Sequence, residues 1–333
     1  MSSDLVLEGV DRSPEYGALP TATYSVVVPV YKNAESLVAV VDRLEWLQSQ
    51  LKGQLEAVFV VDGSPDKSIE ILRELLGESP LLSRLVCHSR NFGSFAAIRT
   101  GFLASTGKYV AAMAADLQEP VELIDQFFEA LSSGDWDVVV GTRLKRDDPR
   151  ASRAMSRVYW TVYRRLIQKD MPPGGVDIFA CTRDVAQKFD GLRESNSSLV
   201  GLLFWLGFRR LEVPYARSER LHGVSGWSFS KKIRYLLDSV FSFTSLPITI
   251  ILIVGILGTA GAFLAAGVIL IAWLAGFVDV PGYTATMLVL LLSTGSILSA
   301  LGIVGTYVWR TFENTKGRPI SVVMTEEVFH DDR

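Results

Sequence analysis

Hydrophobic positions in the first half of the chain form short continuous runs, separated by stretches with helical spacing. Tyr24–Val30 (YSVVVPV) and Leu55–Val61 (LEAVFVV) are apolar without alternation and rich in β-branched residues. That pattern predicts strands buried on both faces. Shorter runs at Arg84–His88, Tyr109–Ala114 and Asp137–Gly141 predict further strands. Ala34–Leu51, Ser68–Leu76, Ser94–Ser105 and Val121–Leu131 read as helices. Strands alternating with helices give an α/β fold with a mostly parallel sheet, covered on both faces. Residues 1–22 are polar and rich in turn formers, and read as a flexible tail.

The second half has a different pattern. Phe229–Phe243 mixes Lys231, Lys232 and Arg234 with Ile233, Leu236, Leu237, Val240 and Phe241. It reads as an amphipathic helix lying in a membrane interface over residues 229–243. Leu246–Phe277 and Tyr283–Trp309 then carry no charged residue. A hydrocarbon core of about 30 Å takes about 20 apolar residues in a helix, so residues 244–310 are expected to make two spans. Lys and Arg flank the pair, at Arg217, Arg220, Lys231, Lys232 and Arg234 before it and Arg310, Lys316 and Arg318 after it; the turn around Asp279–Gly282 has none. This asymmetry predicts a multi-pass protein of the cell membrane with residues 23–228, both termini and a C-terminal tail at 311–333 on the cytoplasmic side. The first 20 residues have no apolar signal region.

Composition narrows the function. The 333 residues hold 33 Lys+Arg against 36 Asp+Glu, a net charge of -3, which excludes a general nucleic-acid binder. Apolar residues make up 49% and mean hydropathy is +0.27, a value carried by the two uncharged runs. Cys87 and Cys181 are far apart, and His88, His222 and His330 show no zinc-ligand spacing, so none is given a role.

Candidate chemistry collects at strand ends. Tyr31, Lys32 and Glu35 follow the first predicted strand, Asp62 and Ser64 the second, Asn91 and Gly93 the third, Asp116 and Gln118 the fourth and Arg143 the fifth. Open α/β sheets bind ligands at the carboxyl ends of their strands.

The segments SVVVPVYKNAESL, AVFVVDGSPDKS, RNFGSFAAIRTG and GKYVAAMAADLQEP, in that order, resemble the family 2 glycosyltransferases of GT-A fold. GVDIFACTRDV, ARSERLHGVSGWSFSKK and the two apolar runs are similar to its polyprenyl-phosphate branch, which includes bactoprenol glucosyltransferases and dolichol-phosphate mannose synthases. The resemblance runs from about Tyr24 to Pro319 and implies a GT-A catalytic domain over 23–228. It implies inverting transfer of a hexose, UDP-glucose being the most plausible donor, from a nucleotide diphosphate sugar to a polyprenyl phosphate such as undecaprenyl phosphate.

Residue roles follow from the same resemblance. Pro29, Tyr31, Glu35, Asp62, Ser64, Asn91, Gly93, Asp116 and Ser225 are expected at the donor. Asp116 and Gln118 are expected to hold Mg²⁺ or Mn²⁺, and both would point to one side if their segment is extended. Arg143, Arg153 and Arg157 are expected at the acceptor phosphate, because a guanidinium matches phosphate oxygens in pairs. Asp177 is expected to orient sugar or acceptor, so that Asp116, Asp177 and Arg143 form the catalytic set. Arg217, Arg220, Ser225 and Trp227 resemble a loop that closes over the donor, with Gly226 where the family has Lys. Two usual acids are replaced, by Val61 and Ala114. A polysaccharide synthase, for which two spans are few, and a catalytically silent membrane scaffold are the competing readings. Homo-oligomerisation and a downstream flippase or membrane glycosyltransferase are the further partners considered.

Overall fold

The computed structural model describes residues 22–52, 54–143, 160–161, 163–165, 168–172, 175–192, 198–216, 238–241, 243–244, 246–275 and 282–330. β1 (Tyr24–Val30), β2 (Leu55–Val61) and β3 (Leu82–His88) are parallel neighbours, and β4 (Tyr109–Ala112) pairs with β1 on its other side. β5 (Val138–Arg143) and β6 (Phe179–Thr182) continue the sheet, followed by β7 (Arg210–Tyr215). With β8 (Val323–Phe329) at one edge, the strand order is β7-β5-β6-β4-β1-β2-β3-β8. The expected parallel sheet is therefore interrupted by β6, which runs antiparallel between β4 and β5.

Alternation along β1 divides the core. Val26, Val28 and Val30 face a layer with α1 (Leu37–Gln50), α2 (Ser68–Glu78) and α4 (Glu122–Ser132). Val27 faces the other side, with α3 (Ser94–Ala104), α5 (Arg183–Gly191) and α6 (Leu199–Trp205). All seven residues of β2 are buried, as the unbroken apolar run requires. The first helix differs from expectation: a short 3₁₀ turn at Ala34–Ser36 precedes α1.

Two long helices follow, α7 (Leu246–Leu274) and α8 (Tyr283–Thr315). Ile248, Ile251 and Leu252 near the start of α7 share an apolar groove with Val304, Tyr307, Val308 and Phe312 near the end of α8, so the pair is an antiparallel hairpin. The end of α8 rests on the segment before α7: Arg310 bonds Asp238 at 2.6 Å, and the Tyr307 and Phe241 rings meet at 5.3 Å. Residues 238–241 and 243 are helical; the rest of the predicted interface helix, 229–237 and 242, lies outside the described residues.

Among the described residues no helix is long and apolar enough to cross a membrane. The complete α7 sequence is nonetheless 29 residues with no acid or base, and the side chains of Phe263, Leu270 and Trp273 within it lie outside that description.

The predicted C-terminal tail contains a strand. β8 (Val323–Phe329) pairs antiparallel with β3 and forms the edge of the sheet. Its acids explain the position: Glu326 meets Arg84, and Glu327 takes a forked bond from Arg73 at 2.6 and 3.0 Å. Residues on both sides of the helix hairpin thus belong to one sheet or pack against it.

Candidate active site

Because β1 to β5 run parallel, the residues after their carboxyl ends gather on one edge. Asp177 reaches that edge by a different route: β6 is antiparallel, so its beginning lies there. Three loops of the edge are tied to one another. The Lys32 N–H donates to Ser64 Oγ at 2.8 Å, and Ser64 Oγ donates to Asp66 Oδ1 at 2.6 Å. Asp66 also accepts from Ser68 Oγ at 2.6 Å and from the Ala34 N–H at 3.2 Å. Burial alone would raise the Asp66 carboxyl; these bonds outweigh it and hold it below the usual carboxylate range. Ser36 Oγ donates to the Ala115 carbonyl at 2.7 Å, fixing the 3₁₀ turn beside Asp116.

Asp62, expected at the donor, is turned inward. Its carboxylate is 2% exposed. Oδ1 accepts from His88 Nδ1 at 2.8 Å and the Phe92 N–H at 2.8 Å; Oδ2 accepts from the Gly93 N–H at 2.7 Å. Burial pushes its pKa up, and the bonds from His88, Phe92 and Gly93 more than reverse this. Asp62 therefore shapes the loop carrying Asn91 and Gly93 and does not present its carboxylate to a ligand. Gly63 permits the approach: its φ is +57°, and a Cβ there would lie 2.3 Å from the Arg90 carbonyl carbon. Ser64 is likewise spent on loop geometry. Tyr31 and Asn91 are exposed at the edge, Glu35 is exposed in the 3₁₀ turn, and Pro29 is half-buried inside β1 opposite Val60.

Asp116 and Gln118 are half-buried just after β4. Their segment is a turn, which corrects the expected extended alternation. Leu117 between them has φ +52°, and the Gln118 N–H approaches Asp116 Oδ1 at 3.4 Å. A leucine in the left-handed region costs about 1–2 kcal/mol, strain of the kind that collects at working sites. Among the described residues, no group of three or more His, Cys, Asp or Glu could hold a metal ion. Two hard oxygens on one turn fit Mg²⁺ or Mn²⁺ as partial ligands, the remaining positions falling to phosphates and water.

Arg143 and Asp177 form one unit. Arg143 Nε donates to Asp177 Oδ2 at 2.5 Å, and the Tyr215 hydroxyl donates to the same oxygen at 3.4 Å. Tyr215 is the residue of β7 paired with Arg143. Gly141 makes room for it, since a Cβ at that position would lie 3.1 Å from the Tyr215 ring. Burial opposes the charge on Arg143, but Asp177 and Tyr215 raise its pKa overall. Burial, with the charges of Asp177 and Glu119, pushes the Tyr215 phenol far up and keeps it a donor. Arg143 is thus oriented by a carboxylate.

Arg153, Arg157, Arg217, Arg220, Ser225, Gly226 and Trp227 lie outside the described residues. Val61 and Ala114 offer no carboxylate, and Val61 fills the core beside Cys87. Both cysteines are buried, with thiols raised by burial.

Sequence reasoning missed His88, Asp66 and Tyr215. His88 shows no zinc-ligand spacing, but Val61 pairs with Cys87, which brings Asp62, just after β2, beside His88 at the end of β3. Tyr215 had no comparable signal, because β7 was not predicted.

The model of glycosyl transferase family 2 matches residues 25–189. An uncharacterized glycosyltransferase of Bacillus subtilis, YkcC, is 32% identical over 90% of this chain and 93% of its own length. A bactoprenol glucosyl transferase of Shigella phage SfV is 27% identical over 91% of this chain and 98% of its own. A mannosyltransferase of Pyrobaculum calidifontis, solved with GDP-Man and Mn²⁺, is 18% identical, covers 84% of this chain and 80% of its own, and overlaps at a TM-score of 0.43.

Proposed function

The chain belongs to glycosyltransferase family 2 and is a glycosyltransferase; from that premise we propose that it transfers a hexose, with inversion, from a nucleotide diphosphate sugar to a polyprenyl phosphate. The observation that carries this is the extent of the likeness to the phage bactoprenol glucosyl transferase. It covers 91% of this chain, well beyond the 25–189 of the family domain, and so takes in the long helices.

The helices support a membrane location. At 1.5 Å per residue the 29 residues of α7 reach about 43 Å, more than a hydrocarbon core of about 30 Å. Large apolar side chains stand exposed along both, among them Leu257, Leu264, Ile271, Leu298 and Leu301. Water would be a poor solvent for such a surface, and lipid a good one. The proposal places α7 and α8 across the cell membrane with the sheet on the cytoplasmic side, as the flanking Lys and Arg favour.

In the reaction, a phosphate oxygen of the lipid attacks the anomeric carbon as the bond to the nucleoside diphosphate breaks. The acceptor is already an anion, so it needs less base assistance than a hydroxyl. Asp116 and Gln118 would hold Mg²⁺ or Mn²⁺, which when bound would supply positive charge to offset that of the leaving diphosphate. Arg143, oriented by Asp177 and Tyr215, is assigned to the acceptor phosphate.

The test is a screen of nucleotide sugars with the full chain and undecaprenyl phosphate, reading release of nucleoside diphosphate. Release that requires the lipid phosphate supports the proposal. Release that proceeds equally with water-soluble acceptors and ignores the lipid overturns it.

A further inference from the structure

The chain that leaves α8 does more than complete the sheet. Six residues beyond the helix, Ser321 Oγ lies 2.8 Å from Thr100 Oγ1 on α3. Thr100 Oγ1 lies 2.9 Å from His88 Nε2. His88 Nδ1 lies 2.8 Å from Asp62 Oδ1, and the two Asp62 oxygens hold the Phe92 and Gly93 N–H groups. The Ser89 N–H also donates to the Val322 carbonyl at 3.0 Å. His88 and Asp62 are both 2% exposed, so water does not compete for the bond between them; Thr100 and Ser321 are half-buried.

The chemistry gives the chain a direction. An ionised carboxylate only accepts, so His88 donates through Nδ1. In the neutral ring Nε2 then accepts from Thr100, which in turn accepts from Ser321. Each donor points towards Asp62, and each bond is consistent with its neighbours. Such buried networks hold one geometry when every member is satisfied.

We propose that the segment Ser321–Val323, at the exit of the second long helix, positions the Arg90–Gly93 loop through Thr100, His88 and Asp62. His88 and Ser321 are positioning residues in this reading. The donor loop is then set partly by a segment anchored to the helix hairpin, so that a catalytic domain cut before α7 has an incompletely ordered loop. The role of that loop at the donor rests on the glycosyltransferase reading; its anchoring by Ser321 does not.

The experiment is hydrogen–deuterium exchange on the full chain in lipid nanodiscs, which needs no substrate. Ser321→Ala and, independently, Thr100→Val are expected to speed exchange of the Phe92 and Gly93 amides, while the β3–β8 ladder keeps its protection. Ser321→Thr, which keeps the hydroxyl, is expected to restore the slow rate. With UDP-glucose as the donor probe, KM for the donor should rise on the order of 3- to 10-fold and apparent KM for undecaprenyl phosphate should stay unchanged. Unaltered exchange at Phe92 and Gly93 in both variants overturns the proposal. So does loss of protection along the whole of β8, which would make Ser321 a strand anchor only. Absence of any turnover with the lipid would contradict the function proposed above and leave the exchange result to decide this inference by itself.

Discussion

At the scale of single residues, a carboxylate's environment separates two roles that look alike in sequence. Asp62 and Asp116 both follow buried strands, yet Asp62 is closed off by His88 and two backbone N–H groups, while Asp116 sits half-buried on a strained turn. Asp116→Asn keeps the volume and removes the charge. Transfer is expected to fall about 100-fold or more, because charge on the leaving diphosphate loses its counterpart; a rate within a few-fold of wild type would remove Asp116 from the site. Arg143 and Asp177 share one bond, so their variants should not add. A cycle of Arg143→Lys, Asp177→Asn and the double variant is expected to show a coupling of about 1–3 kcal/mol in kcat/KM for the lipid. Additive losses would mean that the two act separately. The strand-end residues were legible because buried runs such as LEAVFVV have sharp ends. How the side chains divide between ligand and loop was not legible, since it depends on which strands are neighbours.

Secondary-structure elements were readable in proportion to their burial. β1 and β2 have the bounds predicted, because an apolar run buried on both faces stops where the polar edge begins. β6 has four residues and runs against its neighbours, and neither its length nor its direction has a signature in FACT. β8 was hidden for the opposite reason. It is an edge strand with two acids and exposed Val323 and Met324, and reads as a polar tail until Arg73 and Arg84 are placed opposite. The bond from Arg73 holds the Glu327 carboxyl below its ordinary 4.5, against the opposing effect of burial. A depressed pKa stabilises the fold fully above that ordinary value, and the contribution is lost as pH falls through the folded value. Melting curves of the wild type and of Glu327→Gln should therefore differ most near neutral pH and converge below pH 4.5. A difference that does not change with pH would show that the charge on Glu327 contributes nothing.

At the scale of the whole molecule, the sheet and the helix hairpin are joined twice, by the segment before α7 and by β8 after α8. That arrangement brings the root of the hairpin to the catalytic domain. If the hairpin crosses the membrane, the residues between its helices are expected on the far side. A cysteine replacing Val280, in a background with Cys87 and Cys181 changed to Ser, should be labelled by an impermeant reagent from outside intact cells; labelling only after the cells are opened would reverse the topology. The two uncharged runs made the two long helices legible. The closure by β8 was not, because it depends on a pairing across more than two hundred residues of sequence.

As proposed, this glycosyltransferase uses a lipid phosphate as its acceptor. The most direct measurement is mass spectrometry of lipid extracted from nanodiscs that contain the full chain, undecaprenyl phosphate, UDP-glucose and Mn²⁺. A new species heavier by one hexosyl residue is expected, formed with the wild type and nearly absent with Asp116→Asn. Unchanged undecaprenyl phosphate across the full panel of nucleotide sugars, with sugar transferred instead to a soluble acceptor, would contradict it.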